Sequence, residues 1–218
     1  MPHGSPPGSS GRPSPHGASD RPRSAGGPSA DSAALDRRKW NARYRDAGAA
    51  AARPEPHPLT LRWRSRFAGG PMLDAACGLG RGLAGALDDF DPLYGVDVSD
   101  AAIFAARRLY PPRRVRWIVA DVTALPWPAG TFGLVCSFGF TDLPFLRRIR
   151  SAIRPGGMLL YEGFSRRQLE SRPGMNPDWT LTLPLLRELC AGWEVLETGE
   201  TETEPYLVRC AAIRPGRS

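Results

Sequence analysis

A chain of 218 residues with 41% hydrophobic side chains allows one α/β domain of roughly 150–180 residues plus a tail. No apolar run approaches the roughly 18–20 residues of a membrane-spanning helix, and no apolar centre of a secretory signal precedes the first charged residues. The net charge of +7 is almost all arginine, and Arg62, Arg64 and Arg66, Arg107 and Arg108, and Arg147, Arg148 and Arg150 alternate with apolar residues at helical spacing. That pattern reads as solvated helix faces and against a nucleic-acid footprint. The four cysteines have no short paired spacing, which reads as small buried residues in a reducing cytoplasm and against a disulfide or zinc framework.

In chain order, residues 1–32 are Gly, Pro, Ser and Arg with almost no large apolar side chain, and the expectation is a disordered tail. Ala33 to Ala47 changes character: Trp40 and Tyr44 are four apart, on one face of a helix that is either laid on the core or a lid on a site. His57 and Pro58 open a second helix with Leu59, Trp63 and Phe67 inward. His57 is the only histidine outside the tail, so no histidine-rich metal site is expected.

Strand and helix then alternate. Strands are expected at Met72 to Ala76, Leu93 to Asp97, Val115 to Ala120, Phe132 to Ser137 and Met158 to Glu162. A small-residue helix from Leu83 to Leu87 follows the first strand. Ser99 caps the next helix, and a third runs through Leu143, Leu146, Ile149 and Ile153. Arg154-Pro155-Gly156-Gly157 reads as a turn. Beyond Glu162 come a short helix (Ser165 to Glu170), a loop, a helix (Leu181 to Cys190) and two strands, Trp193 to Thr198 and Pro205 to Ile213, paired as an antiparallel hairpin. The whole predicts a single Rossmann-like, doubly wound α/β sheet of seven strands, mostly parallel with an antiparallel C-terminal strand.

Ligands of such sheets bind at the carboxyl ends of the strands, where Asp74, Asp97, Asp121 and Ser137 all fall. The loop after the first strand holds Gly78, Gly80 and Gly82, which let a ligand approach the backbone closely. Gly80-Arg81-Gly82-Leu83-Ala84-Gly85 matches G-x-G-x-x-G, but Asp74 precedes it and would repel a pyrophosphate. The same carboxylate suits a cationic ligand. No P-loop motif is present.

Asp74-Ala75-Ala76-Cys77-Gly78-Leu79-Gly80 resembles the first motif, D-x-G-x-G-x-G, of class I S-adenosylmethionine-dependent methyltransferases, with Ala76 where the first glycine is usual. Asp97, Ala120-Asp121-Val122 with Leu125-Pro126-Trp127, and Arg154-Pro155-Gly156-Gly157 match further family motifs. Trp40-Asn41-Ala42-Arg43-Tyr44 and Tyr161-Glu162-Gly163-Phe164 are similar to small bacterial methyltransferases of the tellurite-resistance and thiopurine type. Two positions depart: Gly133 replaces a common Asp, and Phe140-Thr141-Asp142 stands where relatives often carry a histidine.

The resemblance implies S-adenosylmethionine as cofactor, residues 71–214 as the methyltransferase domain, and residues 33–70 as helices covering the cofactor site. It implies loop contacts from Ala76, Gly78 and Gly80 to the methionyl carboxylate, Asp74 balancing the ammonium, Asp97 accepting from the ribose, Asp121 from the adenine amino group, Val98 and Val122 walling the ring, and Ser137 near the reacting methyl. Trp40, Tyr44, Phe138, Phe140, Tyr161 and Glu162 are the expected acceptor pocket. No catalytic base is evident and no metal is expected. Asp142 is expected to cap the following helix. The absence of a base favours a small acceptor that is already ionised: a thiol, chalcogen oxyanion or carboxylate. An RNA or protein methyltransferase, and a non-catalytic cofactor-binding module, are the alternatives.

Overall fold

The computed structural model describes residues 30–48 and 52–216, so the expectation for the tail falls almost wholly outside the described residues. Strands β1 (Met72–Ala75), β2 (Leu93–Asp97), β3 (Val115–Val119), β4 (Phe132–Phe138) and β5 (Ile153–Ser165) are parallel. A two-residue β6 (Thr180–Leu181) flanks β5, and β7 (Glu194–Glu200) and β8 (Leu207–Ile213) close the sheet as an antiparallel pair. The main path runs β3-β2-β1-β4-β5-β8-β7, a doubly wound sheet that reverses between β1 and β4. That reversal opens a crevice at the strands' carboxyl ends.

Side-chain alternation divides the sheet into two apolar faces. One face buries Leu73, Val135, Leu159, Tyr161 and Cys210 under helices α5 (Leu143–Ala152) and α7 (Leu183–Leu189). The other buries Met72, Leu134, Met158 and Leu160 under α2 (Pro58–Trp63) and α3 (Arg81–Ala84). Helix α1 (Ala30–Gly48) packs on α4 (Asp100–Leu109), and α6 (Gln168–Ser171) follows β5. Local chemistry sets the helix starts: Ser99, Asp142 and Thr182 each accept a backbone N–H of their helix's first turn. The capping role expected of Asp142 is therefore met.

The expected turn at Arg154 to Gly157 is instead drawn into the strand. Phe132 pairs with Ile153 but Leu134 with Met158, so residues 154–157 bulge from the ladder while the N–H of Gly156 bonds the carbonyl of Arg214. Gly133 also has a cause. A Cβ there would sit 1.9 Å from the carbonyl oxygen of Gly69, so the aspartate common at this position has no room. Helix α3 is a single turn, shorter and earlier than the Leu83 to Leu87 expected. Among the described residues no helix is long and apolar enough to cross a membrane.

Candidate active site

The carboxyl ends of β1 and β2 meet around the glycine loop. Asp74 is 2% exposed and its Oδ2 accepts the N–H of Gly82 at 3.0 Å. Burial pushes its carboxyl up to about 8, against the lowering pull of the Gly82 and Leu83 N–H groups. The acid expected to balance a ligand ammonium therefore first secures the start of α3. Gly82 makes this seat possible, because a Cβ there would lie 2.7 Å from the carboxylate. Ala76, where the family has glycine, takes φ 54°, a left-handed conformation that costs a side-chain-bearing residue about 1–2 kcal/mol.

Asp97 is bound through both oxygens: Oδ2 accepts the Gly78 N–H and Oδ1 the Ser99 N–H, each at 2.8 Å. Burial raises its carboxyl pKa, opposed by those two hydrogen bonds. Each oxygen keeps a further lone pair for a ligand. Asp121 accepts the N–H and hydroxyl of Thr123 on Oδ1, at 2.8 and 2.7 Å, and its other oxygen makes no hydrogen bond among the described residues. Val98 is half-buried beside Asp97.

Helix α1 reaches over this loop. A Cβ on Gly78, whose φ is +52°, would fall 2.3 Å from the Tyr44 hydroxyl, so the tyrosine stands directly on the glycine backbone. Burial and the nearby Asp97 carboxylate push the Tyr44 phenol up to about 12, keeping it neutral. Trp40, one turn earlier, lies 6.3 Å from Tyr44 between ring centroids. Asn41 bolts the helix down: its Oδ1 accepts from the Ser99 hydroxyl at 2.7 Å and the Ala101 N–H at 3.2 Å, and its amide donates to Asp100. Sequence reasoning singled out Trp40 and Tyr44 and passed over Asn41, whose partners lie 58 to 60 residues away.

Three expected residues are buried in the core. Ser137 is fully buried and donates to the carbonyl of Phe140 at 3.2 Å. Tyr161 is fully buried on the α5 and α7 face, 2.8 Å from the Thr141 hydroxyl. Val122 lies in the same core. Ser137 and Phe138, like Tyr161 and Glu162, are consecutive in a strand, so the two members of each pair point to opposite faces of the sheet. Phe140, half-buried, packs on Phe145 at 5.8 Å.

Phe138 and Glu162 lie on the other face, the one under α2 and α3, and a residue outside the expected set joins them. His57 stacks on Phe138, with ring centroids 3.6 Å apart and 8° between planes. Its Nδ1 accepts the Leu59 N–H at 3.2 Å, capping α2, which leaves Nε2 to carry the proton and donate to Glu162 Oε1 at 3.0 Å. Burial pushes the Glu162 carboxyl up, but the hydrogen bond from His57 and the nearby Arg209 and Arg81 guanidiniums hold it below its ordinary value. Only the His-Pro start of a helix hinted at this arrangement in the sequence, and it does not name a partner.

Residues 72–157 match a family model described as a methyltransferase domain. This segment is a methyltransferase domain. Its sheet order and antiparallel C-terminal pair are those of the class I fold. No protein of curated function matches the chain at a significant level. Among solved structures, the domain is similar to a Burkholderia thailandensis 1,6-didemethyltoxoflavin-N1-methyltransferase bound to 1,6-didemethyltoxoflavin and S-adenosylhomocysteine. The TM-score is 0.60 at 19% identity, over 90% of this chain and 93% of that one. A structure from work on converting a disulfide to a thioacetal in echinomycin biosynthesis aligns with TM-score 0.59 and 20% identity, covering 84% and 93%. An S-adenosylmethionine-dependent methyltransferase from Mesorhizobium loti aligns with TM-score 0.57 and 17% identity, covering 70% and 96%. At these identities the likeness is one of fold.

The family's methyl donor is S-adenosylmethionine, and the residues present suit it. The methyltransferase domain offers a carboxylate with free lone pairs at the end of β2, a second acid past β3, and a glycine loop that only a Cβ-free backbone can form beneath Tyr44.

Proposed function

We propose that the protein transfers a methyl group from S-adenosylmethionine to a small-molecule acceptor. The observation that carries this reading is Asp97: a buried carboxylate fixed by the N–H groups of Gly78 and Ser99, next to the glycine loop, with lone pairs left for two adjacent hydroxyls. In this reading Asp97 receives the ribose, Asp121 the adenine amino group, and Val98 one side of the ring. The loop from Ala76 to Gly80 carries the methionyl end. Asp74 acts on that end through the loop it anchors. Residues 33–70 form the cover, with Tyr44 and Trp40 over the loop, and residues 71–214 form the catalytic domain.

When bound, the cofactor supplies a methyl carbon activated by an adjacent sulfonium. The protein's own contribution is alignment, which can supply much of the rate of an in-line displacement. A small acceptor is supported by the names of neighbours: the Burkholderia protein is an N1-methyltransferase of 1,6-didemethyltoxoflavin, and a Haemonchus contortus neighbour is a phosphoethanolamine N-methyltransferase. The test offers the purified protein methyl-labelled S-adenosylmethionine with separate pools of thiols, tellurite, carboxylic acids, amines and bulk RNA. Label in a small-molecule product is expected; label confined to RNA or protein contradicts the proposal.

A further inference from the structure

We infer that Glu162, held in place by His57, anchors the methyl acceptor and selects acceptors bearing an N–H or ammonium group over anionic ones. This rests on the methyl-transfer reading and names its substrate class.

Position comes first. Glu162 follows Leu160 by two residues in β5 and pairs across the sheet with Phe138, so it shares the face of Asp74, Cys136 and Phe138. Strands lie about 4.8 Å apart and β5 is the second strand from β1, which puts Glu162 about 10 Å across the crevice from the glycine loop. A cofactor held by Asp97 and the glycine loop would leave Glu162 on the opposite side of the crevice, open to an acceptor.

Chemistry comes second. One oxygen of Glu162 is taken by His57 Nε2. The other makes no hydrogen bond among the described residues, and the side chain is 18% exposed, so this oxygen is reachable. His57 is itself 1% exposed, with both ring nitrogens engaged, so it cannot meet a substrate and serves as a positioning residue. Burial would favour the neutral acid, yet His57, Arg209 and Arg81 keep the group a carboxylate. A fixed carboxylate with one free oxygen beside the Phe138 and His57 ring stack accepts a hydrogen bond from an N–H and attracts an ammonium. That oxygen disfavours direct contact with tellurite, carboxylate and thiolate acceptors, against the expectation drawn from the apparent lack of a base.

An acceptor bound as an ammonium would first lose a proton to water; its nitrogen lone pair would then form the new N–C bond, with the broken C–S pair left on the donor's sulfur. The positive charge then rests on nitrogen. Glu162 stabilises it by accepting the N–H and remains a carboxylate, and the extra proton leaves to water when the product departs.

The test is calorimetric titration with two probes of matched shape, benzylamine and benzoate, each with and without S-adenosylhomocysteine. The wild-type protein is expected to prefer benzylamine by about tenfold or more, the scale of a charge-assisted hydrogen bond. Glu162→Gln, isosteric, is expected to lose that preference with an unchanged melting temperature. His57→Gln, which keeps a donor toward Glu162, should retain most of it. His57→Phe keeps the stacking ring but no donor, and should lose part of it. Preference for benzoate, binding of neither probe, or an unchanged preference in Glu162→Gln overturns the inference. Absence of S-adenosylhomocysteine binding counts against the methyl-transfer reading alone, because the titrations without it still decide the role of Glu162.

Discussion

At the β1–β2 end of the crevice, Asp74, Asp97 and Asp121 are all seated on backbone N–H groups: Gly82, Gly78 with Ser99, and Thr123. At the β5 end, Glu162 is seated on a side chain, His57, from a loop 105 residues earlier. The first arrangement is built into strand-to-helix turns and gives carboxylates whose geometry follows the backbone. The second depends on how α2 docks across the sheet. Backbone seating ties the first half of the site to the local fold, while side-chain seating makes the second half depend on two side chains far apart in sequence.

If the backbone seats set the cofactor half, crowding one should hurt both stability and binding. Gly82→Ala places a Cβ 2.7 Å from the Asp74 carboxylate and is expected to cost about 2–3 kcal/mol, lowering the melting temperature by about 6–10 °C in calorimetry. A melting temperature unchanged within a degree would mean that Asp74 is not fixed there.

Charge is the next lever. Asp74 titrates near 3.8 in an unfolded chain and at about 8 in the fold, so across that window the native state holds a proton that the unfolded chain has lost. Stability therefore falls as pH rises from about 4 to about 8. Asp74→Asn keeps an acceptor for the Gly82 N–H and removes the titration. Its melting temperature should fall less steeply than that of the wild type over this range, with its largest advantage near pH 8. Parallel curves would remove Asp74 as the source.

The smallest effect is expected at Ala76. Replacing it by glycine relieves the φ 54° conformation at some cost in chain entropy, for a net gain of about 0.5–1 kcal/mol, or about 2–3 °C in melting temperature. A loss of stability would show that the loop tolerates a side chain there without strain.

The same contrast explains what the sequence revealed. Alternating strands and helices, with Ser99 and Asp142 at helix starts, made the parallel sheet legible, because each signal is local. The acids after β1, β2 and β3 were legible for the same reason. The burial of Ser137 and Tyr161 was not legible, because which alternate side chains of a strand go under which helix layer depends on packing far along the chain. The bulge at residues 154–157 escaped notice because Pro and Gly signal a turn whether or not a neighbouring strand captures it. His57 and Glu162, and Asn41 with Ser99, are long-range side-chain pairs with no local signature.

The central claim, that the carboxylate fixed at the end of β2 receives the cofactor's ribose, is tested most directly by titrating S-adenosylhomocysteine into the wild-type protein and Asp97→Ala in a calorimeter at pH 7.5. The account predicts binding by the wild type, weakened about 100-fold or more in the variant, as expected for two lost hydrogen bonds to a charged acceptor. Equal affinity in a folded Asp97→Ala protein, or no binding by the wild type, would contradict it.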